Sequence, residues 1–491
     1  MKKPPSKPAI TMIMAREDKS KTMPSSPLAL AGLSLAMLLS SLGVSIANVA
    51  LPTLAQAFTA SFQEVQWVII AYLLAITITI VIAGRIADLF GHRRILLTGI
   101  FLFTAASFLC GLAPELWILI TARTIQGLGA AIMMALTMVF VRETVSKERM
   151  GSAMGLLGTM SAVGTALGPS LGGLLLSGPG WQSLFLGMAP LGILSFTLVC
   201  ATLPRDSQTD TRDHKSFDSL GTIILGLTLA AYALAVTLGN GQFGFPNLAL
   251  FVTAVSGAVI FVLVETKTKS PLIQLALFQR TALSSSLGIN VIVSTVMMST
   301  LVVGPFYLSR SLALEEILVG IVMSVGPVIS AISGIPAGRL VDYFGAPFMV
   351  RAGLFIMTAG SLALSTLPTL FGMTGYIIAI AILTPGYQLF QASNNTLVMG
   401  MADPDHKGVI SGMLSLSRNL GLITGASAMG AIFALASASE NITSADAQSV
   451  ATGMQITFAV ATLLIALAVF ISIVANQSSS HRSIFQQQDG R

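Results

Sequence analysis

Residues 84–91 read Gly-Arg-Ile-Ala-Asp-Leu-Phe-Gly, and residues 338–345 read Gly-Arg-Leu-Val-Asp-Tyr-Phe-Gly. The two stretches start 254 residues apart and share five of eight positions. A second comparison, at a shift of 257 residues, superimposes five glycines of residues 151–173 on five glycines of residues 408–430. Agreement at two registers indicates an internal duplication. We therefore expect two related halves within one chain.

The composition places most of this chain in lipid. Of 491 residues, 54% are hydrophobic and 46 are charged (26 Lys and Arg plus 20 Asp and Glu), whereas about a quarter of the residues of a soluble domain are charged. A soluble fold is therefore excluded. Apolar stretches long enough to cross a bilayer recur fourteen times, at about 28–50, 64–83, 95–112, 115–141, 151–177, 181–203, 218–238, 245–264, 281–308, 316–337, 348–366, 371–400, 409–436 and 451–475.

These stretches predict an all-α polytopic membrane protein, because an isolated strand would leave its backbone groups unpaired in hydrocarbon. We expect two six-helix bundles with two further helices inserted between them. The expected division is a tail at 1–26, a first half at 27–203, a linker at 204–217, the inserted pair at 218–264, a linker at 265–280, a second half at 281–475 and a tail at 476–491.

The basic residues predict the orientation in the membrane. With fourteen spans, 23 of the 26 Lys and Arg residues fall on the side of the two termini, while the opposite side holds only Arg310. Basic residues accumulate on the cytoplasmic side of membrane proteins. We therefore expect a multi-pass membrane protein with both termini in the cytoplasm.

Several motifs carry a family resemblance. Residues 84–94 (GRIADLFGHRR), 119–131 and 164–173 (GTALGPSLGG) are similar to the conserved loop and span motifs of the major facilitator superfamily. Residues 48–52 (NVALP), together with Gln66, Trp67 and Tyr72, resemble its fourteen-span EmrB/QacA-type drug:proton antiporters. The resemblance covers nearly the whole chain. It implies transport by alternating access, and the motif in the fifth span implies export.

The resemblance also implies a cytoplasmic gate at the duplicated motif. In this interpretation a carboxylate pairs with an arginine or a helix N-terminus and holds the gate shut in one conformation. An alternative is that the motif is only a basic orientation signal. The recurrence of the acidic residue in both halves favours gating, since orientation needs no acid. The expected gating residues are Gly84, Arg85, Asp88, Gly91, Arg93, Arg94, Gly338, Arg339 and Asp342.

Two arginines, Arg123 and Arg418, fall well inside spans, where an unpaired guanidinium costs several kcal/mol or more. Each is predicted to be a buried charge that takes part in proton coupling or contacts substrate. The alternative is a structural arginine that bonds to backbone carbonyls or extends outward to the membrane surface. No acidic residue falls well inside any span. The first-span motif of the family opens with Leu-Asp, but this chain has Leu42-Gly43, which leaves cation exchange through a buried carboxylate without its usual group.

Polar side chains in spans 1, 4, 9 and 12 are the expected lining of a central cavity, because a polar stripe seldom faces lipid. Interhelical hydrogen bonding is the alternative for any single amide. The candidates are Asn48, Gln126, Asn290, Tyr387, Gln388, Gln391, Asn394 and Asn395. Glycines at four-residue spacing are expected to pack helices closely, beside a proline that bends the fifth span; these are Gly164, Gly168, Pro169, Gly172 and Gly173.

The sequence therefore predicts a secondary transporter, most simply a proton-coupled exporter of amphiphilic small molecules or drugs. A dedicated exporter of a neutral or anionic metabolite, lipid or siderophore is the alternative, and a non-transporting membrane sensor or scaffold is a third class. The sequence contains no phosphate-binding loop. It also supports no enzyme motif, because all four histidines lie outside the spans, where none could act as a base for a serine within a span. We expect no cofactor, no metal and no nucleic acid, and a monomer that needs only substrate, protons and the bilayer.

Overall fold

A computed structural model of the chain describes residues 27–144, 150–204, 219–237, 244–268, 281–401, 407–437 and 446–488. The described residues form sixteen α-helices and no strand. The helices are α1 (Pro27–Val49), α2 (Leu51–Ala57), α3 (Phe62–Phe90), α4 (His92–Gly111), α5 (Leu116–Thr144), α6 (Met150–Ser177), α7 (Gln182–Leu186), α8 (Met188–Thr202), α9 (Ser219–Thr237), α10 (Phe245–Glu265), α11 (Thr281–Phe306), α12 (Glu316–Phe344), α13 (Ala346–Gly400), α14 (Lys407–Thr424), α15 (Gly430–Ala436) and α16 (Ala447–Gln488). Short π-helical turns follow α11 and α14.

The chain is an all-helical membrane protein. Among the described residues, 12 helices are long and apolar enough to cross a bilayer, and residues 220–235 form a shorter apolar helix. One of the 12, α13, has 55 residues and is interrupted at Gly372, whose φ of 54° and ψ of −130° are not helical. The expected loop at 367–370 is instead helical, and the turn lies at Gly372, because glycine tolerates a positive φ without a steric penalty.

The duplicated motif ends two helices of equal length. Helices α3 and α12 each contain 29 residues. Each is followed by a glycine of positive φ, Gly91 at 97° and Gly345 at 83°, and each of these glycines donates its N–H to a carbonyl oxygen four residues earlier, on Ala87 or Val341. A side chain other than glycine would strain this turn. The sequence repeat is therefore a repeat of local backbone geometry.

A second pair of glycines joins helices within each half. A Cβ on Gly129 of α5 would lie 2.6 Å from the carbonyl oxygen of Gly99 on α4. The matching pair lies within α13, where a Cβ on Gly386 would lie 2.9 Å from the carbonyl oxygen of Gly353. Gly99 and Gly353 are 254 residues apart, and Gly129 and Gly386 are 257 apart. Backbone contact of this kind requires small residues at the crossing.

The first helix of each half packs on a glycine face. A Cβ on Gly164 of α6 would clash with the carbonyl oxygen of Leu38 on α1, and a Cβ on Gly421 of α14 would clash with that of Val291 on α11. One helical turn later, Gly168 contacts Ser45. Pro169 and Gly172 are buried on the same helix. This placement agrees with the packing role that the glycine spacing predicts.

The helices between the halves form a pair. Asn247 of α10 donates its side-chain N–H to the carbonyl oxygen of Ala235 on α9 at 3.0 Å. Helix α9 also contacts both halves, because a Cβ on Gly226 would lie 3.2 Å from Ile78 of α3, and the Tyr232 hydroxyl lies 3.2 Å from the Thr424 hydroxyl of α14. Helix α9 therefore covers one side of the junction between α3 and α14.

Candidate functional site

The two halves are joined at the membrane end where α3 and α12 begin. Helices α6 and α12 cross there at backbone distance, since a Cβ on Gly173 would lie 2.8 Å from the Cα of Gly320. On the other side of the junction, Gln66 of α3 donates its side-chain N–H to the carbonyl oxygen of Ala426 at 2.8 Å. The Thr53 hydroxyl donates to a carboxylate oxygen of Glu316 at 2.9 Å. These contacts close this end of the molecule.

Three aromatic rings fill the centre of the closed end. Phe62, from the first half, lies 4.7 Å from Phe306 and 5.4 Å from Phe433 between ring centroids, and both partners belong to the second half. All three side chains are fully buried. We call Phe62, Phe306 and Phe433 the aromatic plug. No simple sequence signal identifies it, because each ring lies in an ordinary apolar stretch.

At the opposite ends of the halves, part of α12 is not covered by any described residue. An added Cβ on Gly334 or Gly338 would meet no atom within 4 Å, and the side chains of Ile332 and Ile335 are 70% exposed. Between described residues, no hydrogen bond or ring contact joins the first and second halves at this end. The structure is therefore closed at the end that the sequence predicts to be outer.

Arg123 lies fully buried inside the first half. Its guanidinium donates through Nε to the carbonyl oxygen of Val68 at 3.0 Å, through Nη2 to that of Gly43 at 2.9 Å and through Nη1 to Oε1 of Gln126 at 2.5 Å. The ring of Tyr72 stacks on it, with its centroid 3.9 Å from the guanidinium carbon. Of the two roles left open for this arginine, these contacts favour the structural one.

The surroundings of Gly43 explain why position 43 of α1 has no room for an aspartate side chain. The Tyr72 hydroxyl donates to the carbonyl oxygen of Ser40 at 2.9 Å, and a Cβ on Gly43 would lie 2.7 Å from that same hydroxyl. The phenol therefore occupies the space that a side chain at position 43 would need. Each acidic residue in a described helix lies within three residues of the helix end.

Three expected cavity amides are used for packing. Gln126 is fully buried and bridges Arg123 to the Ser107 hydroxyl, to which it donates at 2.8 Å. Asn290 donates to the Ser417 hydroxyl at 2.8 Å and thereby joins α11 to α14. Asn48 is also buried, and its N–H donates to the carbonyl oxygen of Val44 at 3.0 Å on its own helix. Gln126 and Asn290 therefore hold helices together, whereas Asn48 is bonded within α1; the Oδ1 atoms of Asn48 and Asn290 are buried without a partner.

The polar stripe of α13 divides between packing and free surface. Gln388 donates to the backbone carbonyl of Ser330 on α12 at 3.2 Å, which is an interhelical bond. Gln391 donates to the Tyr387 hydroxyl at 2.9 Å, and both side chains are half-buried. Asn394 is buried with neither amide atom paired, whereas Asn395 is exposed. Within this stripe, Tyr387, Gln391 and Asn394 are therefore the polar groups with capacity for a ligand.

Arg418 differs from the expectation. The sequence predicts a second buried charge, with an outward-extending guanidinium as the alternative, and the side chain of Arg418 is exposed. Its neighbour Ser417 is the residue that faces α11 and accepts the bond from Asn290, so the helix turns the guanidinium away from that packed face. The only fully buried guanidinium in the described part of the chain is that of Arg123.

The structure describes the side chains of the gating motif in the second half. Gly338 lies in open space, and the side chains of Arg339 and Asp342 are exposed without an ion pair to any described residue. In the first half Arg93 donates to the carbonyl oxygen of Cys200 at 2.6 Å, and Arg94 is exposed. The surroundings of Gly84 and the side chains of Arg85 and Asp88 lie outside the described part of the chain, although the backbone of all three residues belongs to α3.

Comparison with known proteins identifies relatives over most of the chain. The family model described as Major Facilitator Superfamily matches residues 33–426. The chain is 30% identical over 396 residues to the riboflavin transporter RibZ of Clostridioides difficile, which covers 81% of this chain and 86% of that protein. It is 30% identical over 408 residues to the multidrug resistance protein Stp of Mycobacterium tuberculosis, with 82% and 74% covered.

A likeness to solved structures concerns the fold alone. The crystal structure of a bacterial homolog of the human lysosomal transporter Spinster superimposes with a TM-score of 0.68 at 15% sequence identity. The match covers 92% of this chain and 98% of that one. The arrangement of helices is therefore shared with a transporter whose sequence has diverged widely.

Proposed function

The chain belongs to the Major Facilitator Superfamily, and from that premise we propose that it exports amphiphilic small molecules or drugs across a bacterial inner membrane in exchange for protons. It is a multi-pass membrane transporter and not an enzyme. The observation that carries the proposal is the pair of halves that meet at one end and separate at the other, because alternating access needs two bundles that rock about a central site.

We propose fourteen spans, of the EmrB/QacA type. The support is a count: the 12 long apolar helices become 13 when α13 is divided at Gly372, and the shorter helix at 220–235 adds one more. In this arrangement residues 27–203 and 281–475 are six-helix bundles, residues 218–264 are an inserted pair, and both termini are cytoplasmic. The closed end with the aromatic plug is then the outer end, and the structure corresponds to a state open to the cytoplasm.

Substrate contact is assigned to the free part of the polar stripe of α13. Tyr387 and Gln391 are half-buried and hydrogen-bonded to each other, and Asn394 is buried with both amide atoms unpaired. Buried polar groups are nearly always paired, so an unpaired amide is a place for water or for a ligand atom. The protons would be exchanged without a mid-span carboxylate in the described residues, which makes the coupling group different from the usual one.

A second candidate is a dedicated exporter of a neutral or anionic compound. The specific observation is the charge inside the spans: Arg123 and Arg418 are positive, and the acidic residues of the described helices lie at their ends. A cationic substrate would meet no fixed negative charge there. The riboflavin transporter among the relatives carries a substrate that is uncharged at neutral pH, which is consistent with this alternative.

The test is transport by purified protein in liposomes across an imposed pH gradient. Cationic, neutral and anionic amphiphilic dyes are compared, with and without a protonophore. Gradient-driven movement of a cationic dye supports drug:proton exchange, movement of only neutral or anionic dyes supports the second candidate, and no gradient-dependent movement of any dye would refute both.

A matched pair of variants tests the assigned stripe. Gln391→Ala removes a half-buried amide from it, whereas Thr396→Ala removes an exposed hydroxyl that is bonded only to its own helix at Ala392. We expect Gln391→Ala to raise the concentration of dye needed for half-maximal transport about fivefold, for one lost hydrogen bond, and Thr396→Ala to leave it unchanged. Equal behaviour of the two variants would place the substrate elsewhere.

A further inference from the structure

A cavity of about 200 Å³ lies inside the second half, at the end where α11 and α13 begin. It is separate from the polar stripe that the proposed function uses. Three helices, α11, α13 and α16, contribute to its wall, and the lining residues are Ala282, Ser285, Ser286, Ile289, Pro347, Val350, Arg351, Leu397, Ser472 and Ala475. We call this space the second-half cavity. Its lining combines one guanidinium with three hydroxyls and has no acidic residue.

The polar groups of the second-half cavity are donors with unused capacity. Arg351 donates through Nε to the carbonyl oxygen of Pro347 on its own helix at 3.3 Å, and its two terminal nitrogens meet no acceptor among the described residues. The hydroxyls of Ser286 and Ser472 also have no partner there, while that of Ser285 donates to the Thr281 carbonyl at 2.7 Å. A fork of N–H donors beside hydroxyl donors suits a phosphate oxygen.

The backbone adds to the same polarity. Pro347, which itself has no N–H, lies in the first turn of α13 and lines the cavity. The first turn of a helix carries unpaired N–H groups and a partial positive charge, which favours an anion. The start of α13 and one arginine therefore favour an anion in the second-half cavity, whose lining includes no acidic residue.

The other part of the lining is apolar. Ile289 lies two turns into α11, Val350 lies one turn into α13, and Leu397 lies on the last turn of α13. The cavity therefore presents apolar side chains beside its polar groups. A ligand with an anionic group attached to a hydrocarbon chain would contact both, whereas a free inorganic anion would leave the apolar part unused.

The corresponding region of the first half is filled. At the position of Ser285, 253 residues earlier, stands Gly32, where a Cβ would lie 3.0 Å from Leu198. At the position of Pro347, 254 residues earlier, stands Arg93, whose guanidinium is already bonded to the carbonyl oxygen of Cys200. The offsets match those of the repeated helix contacts, so the second-half cavity is not a general consequence of the fold.

From these observations we propose that the second-half cavity binds the phosphodiester headgroup of an anionic phospholipid, with Arg351 holding the phosphate, Ser286 and Ser472 donating hydrogen bonds, and an acyl chain resting on Ile289, Val350 and Leu397. Basic pockets between membrane helices on the cytoplasmic side are suited to such headgroups. None of the residues that line the second-half cavity belongs to the polar stripe, so the proposal does not depend on the proposed substrate class.

The test is native mass spectrometry of the full-length protein, delipidated in detergent and titrated with phosphatidylglycerol or phosphatidylcholine. We expect a tighter complex with phosphatidylglycerol, and Arg351→Gln to weaken that complex about fivefold or more, as one basic residue near a lipid surface contributes. Lys267→Gln is the matched control, because Lys267 is an exposed cation on the same predicted side and outside the cavity. It should change the affinity less than about twofold.

A second variant separates occupancy from charge. Ser472→Phe places a ring in the second-half cavity while Arg351 remains, and we expect the same loss of phosphatidylglycerol binding. Unchanged binding in both Arg351→Gln and Ser472→Phe would overturn the proposal, as would an equal loss in Lys267→Gln. Inorganic phosphate is added as a competitor, and its complete displacement of the lipid at millimolar concentration would overturn the lipid assignment in favour of a free anion.

Discussion

The two halves share their packing and differ in their charge. Gly99 and Gly129 meet in the first half as Gly353 and Gly386 meet in the second. Arg123 lies near the first of these contacts, and the residue 257 positions later is Ile380, which is buried. The residue that matches Gln126 is Leu383, which is fully buried. The close glycine contacts are therefore common to both halves, whereas the polar network around Arg123 occurs in the first half.

This difference assigns separate tasks to the two halves. The first half fixes α1, α3 and α5 to one another through a guanidinium that bonds to a carbonyl oxygen on each of the first two helices. In the second half α13 instead carries Tyr387, Gln391 and Asn394, with hydrogen-bonding capacity left over. We expect the first half to move as a rigid body and the second half to provide most of the polar contacts with substrate.

The strongest test of this comparison is Arg123→Leu. The substitution leaves the carbonyl oxygens of Val68 and Gly43 and the amide of Gln126 buried without their donor, so we expect a loss of about 3–5 kcal/mol in the free energy of unfolding. Unfolding in detergent, followed by circular dichroism, measures it. A variant of normal stability that fails to transport would instead give Arg123 a direct role in coupling.

Ile380→Arg is the reciprocal change. Ile380 has no network of acceptors comparable to that around Arg123, so a guanidinium there would be buried without partners and should prevent folding or insertion. The amount of protein recovered from the membrane provides the measurement. Recovery at the level of the unmodified chain would show that the second half can also hold a buried cation. It would contradict the proposed difference in charge between the two halves.

Glycine substitutions should affect the halves equally. Gly168→Leu would place a side chain against Ser45, since even a Cβ would lie 2.6 Å from the Ser45 Cβ, and Gly425→Leu would meet the Met298 Cβ at 2.6 Å. Each is expected to cost about 3 kcal/mol by overpacking. Gly334→Ala is the control, because its Cβ would meet nothing within 4 Å. Thermal unfolding of the three variants checks this, and a difference between the first two would contradict equal packing.

The gate should also behave alike in both halves. Asp342 is exposed and has no ion pair to a described residue in this state, which is closed at the other end. We expect Asp88→Asn and Asp342→Asn each to slow transport about fivefold or more, through loss of a contact made in the alternate state. Glu115→Gln, an exposed acid outside the motif, is the control. Normal transport by both variants at normal expression would reduce the motif to an orientation signal.

Much of the fold could be predicted from the sequence, because the length and composition of an apolar stretch are enough to identify a membrane-spanning helix. The duplicated motif predicted two related halves, but the expected spans 64–83 and 316–337 end before it, whereas α3 and α12 continue through it to Phe90 and Phe344. Hydropathy marks where a span leaves the apolar region, and a helix can continue beyond that point. The break within α13 was less readable, because the apolar run 346–371 continues past Pro368, and the turn depends on one glycine among several.

The sequence predicted which types of residue form the site better than it predicted where their side chains lie. A guanidinium eight residues into a span had to be buried or hydrated, and Arg123 is buried; its carbonyl partners on α1 and α3 could not be known, because they depend on how three distant segments pack. The same limit applies to Arg418, which the helix directs outward, and to the aromatic plug, whose rings come together only when the halves meet.

The smallest expected effect concerns two serines 254 residues apart. The Ser107 hydroxyl accepts from Gln126 and donates to the carbonyl oxygen of Phe103, whereas the fully buried Ser361 hydroxyl has no partner. Ser107→Ala should therefore lower the free energy of unfolding by about 1 kcal/mol. Ser361→Ala should leave it unchanged or raise it slightly, because an unpaired buried hydroxyl is unfavourable. If both variants lose the same stability in a denaturant titration, the polar network is not confined to the first half.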